Sequence, residues 1–338
     1  MTDVFNHPWK GGLFADPEVS DAIGPEAEIA AMLQVETAHA RALGSDDAAD
    51  AIAKANIKPA ELSAGMAQDG VPVPAFVRAL KNQSDPALHA AIHKGLTSQD
   101  VVDTAQALML RRVNITFRSR IAVLAEELDN LRNIHGQETL MGRTRMQVAL
   151  PIVVADRVDT WAIPLAGHLE RLDLIEPDLM VLTAGGPVGV GLKSEHLTLM
   201  AQELGLSVPK KAGHVMRDAF VSYSNWLSLV SGTLGKMGQD IALMAQQGVD
   251  EVSLRGGGGS SAMPHKQNPV LAELLVSLAR FNATLVGGMH QALVHEQERS
   301  GAAWTLEWMV LPQMVQATGR ALSAAHTLIQ QIERLGST

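Results

Sequence analysis

Two long runs of apolar residues at helical spacing constrain this chain more than any other feature. Leu110, Val113, Phe117, Ile121, Leu124, Leu128 and Leu131 recur at steps of three and four, as do Phe220, Tyr223, Leu227, Val230, Leu234, Met237, Ile241 and Met244. Each run predicts a helix of roughly 25–35 residues, about 40–50 Å long, against an average of about 11–12 residues for a globular helix. Helices of this length bury their stripe only against partners of similar length, so the expected fold class is all-α, a long-helix bundle. Further helical patterns lie near 26–43, 152–174, 193–204, 268–295 and 305–335, and alternating strand-like runs are hard to find. A Pro-containing strip, Val71–Pro74, separates an N-terminal helical region from the rest of the chain. The expected organisation is a small helical N-terminal domain over 1–95 and the bundle over 96–338. TAGGPVGVG, Thr183–Gly191, reads as a glycine-rich turn between helices.

Composition bounds the function classes. With 338 residues and 46% hydrophobic content, the chain is globular and large enough for an extensive core. No apolar run approaches the roughly 18 residues of a membrane span, and MTDVFNHPWKGG lacks a signal-peptide pattern. Cysteine is absent, which excludes disulfides and thiolate metal sites and fits a reducing cytoplasm. A net charge of -9 argues against a nucleic-acid partner. No membrane partner is expected either.

Four stretches carry chemistry-bearing residues. RGGGGSSAMPHKQNP, Arg255–Pro269, places Lys266 seven residues past Gly259, so it is not a Walker-type phosphate loop. A linker and a functional lid both remain open. In HKGLTSQDVVDTA, Thr97 or Ser98 caps a helix beginning near Gln99, a terminus suited to a carboxylate but also an ordinary cap. MGRTRMQ, Met141–Gln147, carries Arg143 and Arg145, fit for guanidinium–carboxylate recognition or for a solvated turn. HEQERSGAAWTLEW crowds Glu298, Arg299, Trp304, Glu307 and Trp308 into a pocket or an oligomer interface. His89 and His93 form an HxxxH pair without the carboxylate spacing of a zinc motif, so no metal is expected.

Taken together these stretches resemble the fumarase/aspartase superfamily. GSSAMPHKQNP matches its GSSxMPxKxNP signature, and GLTSQDVVDTA and GRTRMQ fall in the order of its other two signature regions. The resemblance covers essentially the whole chain. Within the superfamily, HKGLTSQD, GRTRMQVALPIVVADRV, GGPVGVG and HEQERSGAAWTLEW are most similar to the bacterial 3-carboxy-cis,cis-muconate cycloisomerases. The resemblance implies a homotetramer whose active sites are each shared between three subunits, acting on a small tricarboxylate without cofactor. It implies that Ser260 transfers a proton next to a carboxylate, while Lys266 and Asn268 stabilise the charge. Thr97, Ser98, Gln99, Thr144, Arg145, Gln147, Ser261, Met263 and Arg299 are implied to position substrate, with His93 a weaker candidate.

Two departures matter. Most fumarase and adenylosuccinate lyase relatives read Thr-His after the Gly-Arg of the second signature, where this chain has Arg145. Arginine stays protonated and is a poor proton shuttle. A carboxylate leaving group, with a pKa near about 4, departs without an acid, which favours cycloisomerisation over loss of water or an amine. Many family members also continue for about another hundred residues as a C-terminal helical domain, which is expected to be absent here.

Overall fold

The computed structural model describes residues 3–259, 263 and 267–337. Six helices come first: α1 (Gly11–Phe14), α2 (Pro17–Ala22), α3 (Pro25–Ala42), α4 (Asp46–Ala53), α5 (Pro59–Asp69) and α6 (Val73–Asn82). Six more come after them: α7 (Ser98–His135), α8 (Val154–Leu179), α9 (Ser194–Leu204), α10 (Asp218–Met244), α11 (Val270–Ala292) and α12 (Ala302–Gln330). The long helices α7, α8, α10, α11 and α12 form the bundle. The all-α expectation holds, and the two heptad runs lie inside α7 and α10.

The stripe of α7 is buried from Leu110 to Leu131 and packs with that of α10 in one core that also takes in Trp161, Leu172, Leu275 and Leu322. Close approach is made possible by small residues. A Cβ on Gly235 or Gly238 of α10 would lie 2.4 Å from Ala279 or 2.5 Å from the Ala272 carbonyl of α11. A second core joins Met32, Val35, Phe76 and Leu80 to Val101–Leu108, Leu182, Met200 and Trp304. Phe5 and Val19, by contrast, pack into the bundle core. The first turns of α7 therefore sit between both cores.

Several local expectations are corrected. The Val71–Pro74 strip lies at the junction of α5 and α6, but its last two residues begin α6, because proline fits the first helical turn, where its missing N–H has no partner to lose. The stretch 332–335, expected as helix, is strand β6 (Ile332–Leu335), antiparallel to β3 (Val252–Leu254). His89 and His93 lie in turns rather than on one helical face, and His89 Nε2 donates to the Lys81 carbonyl at 2.8 Å. Finally, α11 is 23 residues long and its most apolar 18-residue window has mean hydropathy 1.5, enough by length and composition to cross a membrane. It lies between α10 and α12, with 28% of its most apolar window buried.

The strands missed in the sequence include a hairpin, β1 (Thr139–Thr144) with β2 (Gln147–Val153). Thr144 pairs with Gln147, so Arg145 and Met146 form a two-residue turn, both left-handed at φ 49° and 67°. Such turns usually carry Asn-Gly or Asp-Gly, and Arg-Met hides the signal. Two-residue strands, β4 (Gly258–Gly259) and β5 (Gln267–Asn268), close the base of the glycine loop.

Candidate active site

The first cluster is built at the start of α7. Thr97 precedes the helix in extended conformation, and Ser98 and Gln99 begin it. The chain arrives through two left-handed residues, His93 at φ 59° and Gly95 at φ 79°. The buried Glu36 of α3 holds His93 there, accepting its backbone N–H at 3.0 Å and bonding Nδ1 at 2.6 Å. The next carbonyl, Lys94, accepts from His39 Nε2 at 2.9 Å. His39 must therefore use Nδ1 as an acceptor, and His196 Nε2 donates to it at 2.9 Å.

Two acids one turn apart tie this terminus to distant segments. Asp100, fully buried, accepts from Thr97 N–H (2.9 Å), Gly185 N–H (3.0 Å), Gly186 N–H (2.9 Å) and His214 Nε2 (2.7 Å). Asp103, also buried, accepts from Arg217 Nη1 (2.6 Å), Trp304 Nε1 (2.9 Å) and Gln99 Nε2 (3.1 Å). The remaining donors of Arg217, Nε and Nη2, clasp the Glu307 carboxylate at 2.8 and 2.5 Å. Its guanidinium lies 4.4 Å from the Phe220 ring centroid. Burial works against the Arg217 charge, but Asp103 and Glu307 more than offset it and raise its pKa. His295 stands 3.4 Å from Glu307, and burial, opposed by that carboxylate, lowers its pKa.

The cluster holds several buried polar atoms that make no hydrogen bond, although one of them, His295 Nε2, faces Glu307 at 3.4 Å. Among the described residues nine buried side-chain polar atoms lack a hydrogen bond, and five belong to Gln99, His295, Arg299 and Trp308. Native interiors leave few such atoms, and their gathering in one place marks a site that takes solvent or ligand. Gln99 gives its amide hydrogens to Asp103 and to the His214 carbonyl (2.8 Å), leaving Oε1 without a partner. Neither of those acceptors can donate in return, so the amide orientation is fixed. Arg299 Nη2 donates to the Pro187 carbonyl at 3.0 Å, joining its segment to the glycine-rich turn.

The second cluster is the hairpin apex, where Thr144, Arg145 and Gln147 are all exposed. Arg143 is different: its Nη1 pairs with the buried Glu251 Oε1 at 2.5 Å. The third cluster is the glycine loop. Gly258 is a packing requirement: a Cβ there would lie 2.5 Å from Val270 Cγ2, whereas one on Gly259 meets nothing within 4 Å among the described residues. Asn268 is half-buried and pairs through its backbone with Gly258, and Met263 is exposed. Ser260, Ser261 and Lys266 lie outside the described residues.

Among the described residues, the root of the hairpin is joined to the segment that leads into the glycine loop, and the first cluster stands apart. Hairpin and glycine loop share roots through Arg143–Glu251, and Ser337 N–H donates to the Thr139 carbonyl at 2.8 Å just past β6. Thr97–Gln99, however, begin α7, while the hairpin comes after its end 38 residues later, about 57 Å along the axis. Sequence reasoning did not single out Asp103, His214 or Arg217, nor give Asp100 a role of its own. The available signal was paired i, i+3 spacing: Asp100 and Asp103 face His214 and Arg217, polar residues beside apolar Val101 and Val102.

Comparison with known proteins agrees with this architecture. A family model described as Lyase matches residues 21–281. The chain is 32% identical over 98% of its length to a 3-carboxy-cis,cis-muconate cycloisomerase of Pseudomonas aeruginosa, covering 77% of that protein. It is equally 32% identical, over 97% of its length, to a nitrosuccinate lyase of Streptomyces davaonensis, covering 73% of it. The crystal structure of a 3-carboxy-cis,cis-muconate lactonizing enzyme from Pseudomonas putida superposes with TM-score 0.92 at 30% identity, over 97% of this chain and 77% of that one. Family match, sequence identity and fold agree: the chain belongs to the lyase family of the fumarase/aspartase superfamily.

Proposed function

We propose that this chain is a cycloisomerase converting 3-carboxy-cis,cis-muconate to 4-carboxymuconolactone, in protocatechuate breakdown by the β-ketoadipate route. The observation that carries the reading is Arg145 at the exposed apex of the hairpin. A fixed cation there orients a carboxylate and cannot deliver a proton to a departing hydroxyl or amine. In the lactone-forming direction an internal carboxylate oxygen adds to a double-bond carbon. The adjacent carbon, next to another carboxylate, takes one proton from the Ser260 hydroxyl, which solvent then restores. Lys266 and Asn268 stabilise the charge that develops on that carboxylate, as preorganised donors do most effectively in a closed site. Thr97, Ser98 and Arg299 hold carboxylates at the positive end of α7, and no cofactor is required.

Such a site needs more than one copy of the chain. The two ends of α7 are too far apart to meet on one substrate, so the hairpin and glycine loop of other copies complete the first cluster. Exposed apolar residues support this assembly, with Met146, Val148 and Leu150 on the hairpin and Ile163 and Leu174 on α8 each more than half exposed in one chain. We place the chain in a homotetramer, as the superfamily resemblance implies.

A second reading has its own support. Nitrite, the anion of an acid of carboxylic strength, also departs without protonation, so Arg145 suits elimination from a nitrosuccinate equally well. Purified protein should bleach the diene absorbance of 3-carboxy-cis,cis-muconate in a continuous ultraviolet assay. No loss of that absorbance, with release of nitrite from nitrosuccinate under the same conditions, would transfer the assignment to the lyase.

A further inference from the structure

We infer that Arg217 is a positioning residue that sets the carboxylate-binding turn Thr97–Gln99, although it belongs to none of the signature stretches. The inference rests on the proposed reading only in taking that turn as a carboxylate site.

Arg217 is 1% exposed and joins three segments, its own turn, α7 and α12, through three nitrogens. Nη1 reaches Asp103 on α7 and, at 3.3 Å, the Gly213 carbonyl, while Nε and Nη2 grip Glu307 on α12. Asp103 in turn fixes the Gln99 amide, and the residue beside Gly213, His214, binds Asp100 beneath Thr97 and the Gly185–Gly186 turn. Glu307 lies in the first turns of α12, shortly after Arg299. Asp103 and Glu307 are thus one hydrogen bond, and Gln99 and Trp304 two, from a single guanidinium. A simple stability role does not require this chemistry, because a buried ion triad is generally replaceable by packed apolar side chains without loss of stability. What an apolar substitute lacks is the planar fork that holds two carboxylates at set angles. Lysine, a single ammonium on a flexible stem, does not reproduce that fixed three-nitrogen geometry.

The test uses Arg217→Lys and the near-isosteric Glu307→Gln, each in the full chain. The probe is propane-1,2,3-tricarboxylate, titrated by calorimetry well below each variant's Tm, alongside kcat and KM for 3-carboxy-cis,cis-muconate. Both variants should weaken tricarboxylate binding at least about tenfold and lower kcat/KM about 10²-fold, the usual scale for misplacement near 1 Å. Leu234→Ala, a bundle-core change in α10 remote from the cluster, supplies the control: it lowers Tm and leaves affinity at the wild-type value. Wild-type affinity and kcat/KM in Arg217→Lys or Glu307→Gln would overturn the inference. So would a wild type with no affinity for the probe, since the turn would then hold no carboxylate. A wild type that binds the probe but leaves the muconate untouched defeats the proposed reaction alone, and the calorimetric comparison still decides the role of Arg217.

Discussion

Arg143 and Glu251 meet at 2.5 Å across 108 residues of chain, and this pair fastens the root of the hairpin to the strand that leads into the glycine loop. Glu251 is 2% exposed, so its carboxylate depends on Arg143 for compensation. Arg143→Met should destabilise the chain by about 1–3 kcal/mol, the scale for an abandoned buried acceptor whose partner was itself partly solvated. Glu251→Gln, which keeps an acceptor and removes the stranded charge, should cost less. Urea unfolding of both variants checks the order, and a larger loss in Glu251→Gln would contradict it.

Stability should fall on mild acidification through buried neutral histidines. Burial, reinforced by His196, lowers His39 to about 3, and burial together with Arg171 lowers His168 to about 4. In the unfolded chain both titrate near 6.5, so the unfolded state binds the extra protons first. Their contribution is complete above about pH 6.5 and is lost as pH falls toward 4, by up to about 1.4 kcal/mol per pH unit for each group. Denaturation midpoints at pH 7.5, 6 and 5 measure the slope. His39→Gln should flatten it, and an unchanged slope would remove His39 as a contributor.

Arg145→Ala should reduce kcat/KM by about 10–10²-fold, the loss of one charge-assisted carboxylate contact, with oligomer size preserved. Arg145→His should not restore a cycloisomerase. Recovery of full muconate turnover by the histidine variant would show that proton delivery, rather than a fixed cation, is needed at the apex.

Assembly is testable without a structure of the complex. Ala283 and Gly287 are exposed four residues apart on the apolar α11. Ala283→Glu with Gly287→Glu should yield smaller particles by light scattering and abolish turnover. Conversely, Thr97→Ala and Arg145→Ala chains, each weakly active, should regain part of the activity when refolded together, because mixed sites combine intact halves. Absence of recovery in verified mixed oligomers would place both halves in one chain.

Neighbouring glycines in the loop should respond differently. Gly258→Ala puts a methyl 2.5 Å from Val270 Cγ2, and Gly259→Ala meets nothing within 4 Å among the described residues. The first should displace the base of the loop and lower kcat, by the general penalty of overpacking, and the second should be milder. Equal losses in steady-state kinetics would point to flexibility rather than packing as the reason for both glycines.

The elements legible beforehand were those whose signal is local and repeated. The stripes of α7 and α10 recur over many turns, so no single residue decides them. The hairpin escaped because its turn is Arg145–Met146, two residues held left-handed by strand pairing instead of by intrinsic preference. Strand β6 escaped because IERL continues the apolar rhythm of α12, and only β3, some eighty residues earlier, offers it hydrogen-bond partners. Thr97–Gln99 could be placed at a helix start from their types alone, but the local code gave no reason to link Asp103 with Arg217.

By itself, then, the sequence determined that long amphipathic helices must bundle and where the signature stretches fall along them, since periodic burial and residue spacing are properties of neighbouring positions. The tertiary structure alone decided which charges meet: that Arg143 closes on Glu251, that Arg217 bridges Asp103 and Glu307, and that the two ends of α7 stand a helix length apart. Buried ions find partners according to which segments packing brings within 3 Å, and such distances between residues a hundred positions apart exist only once the chain has folded.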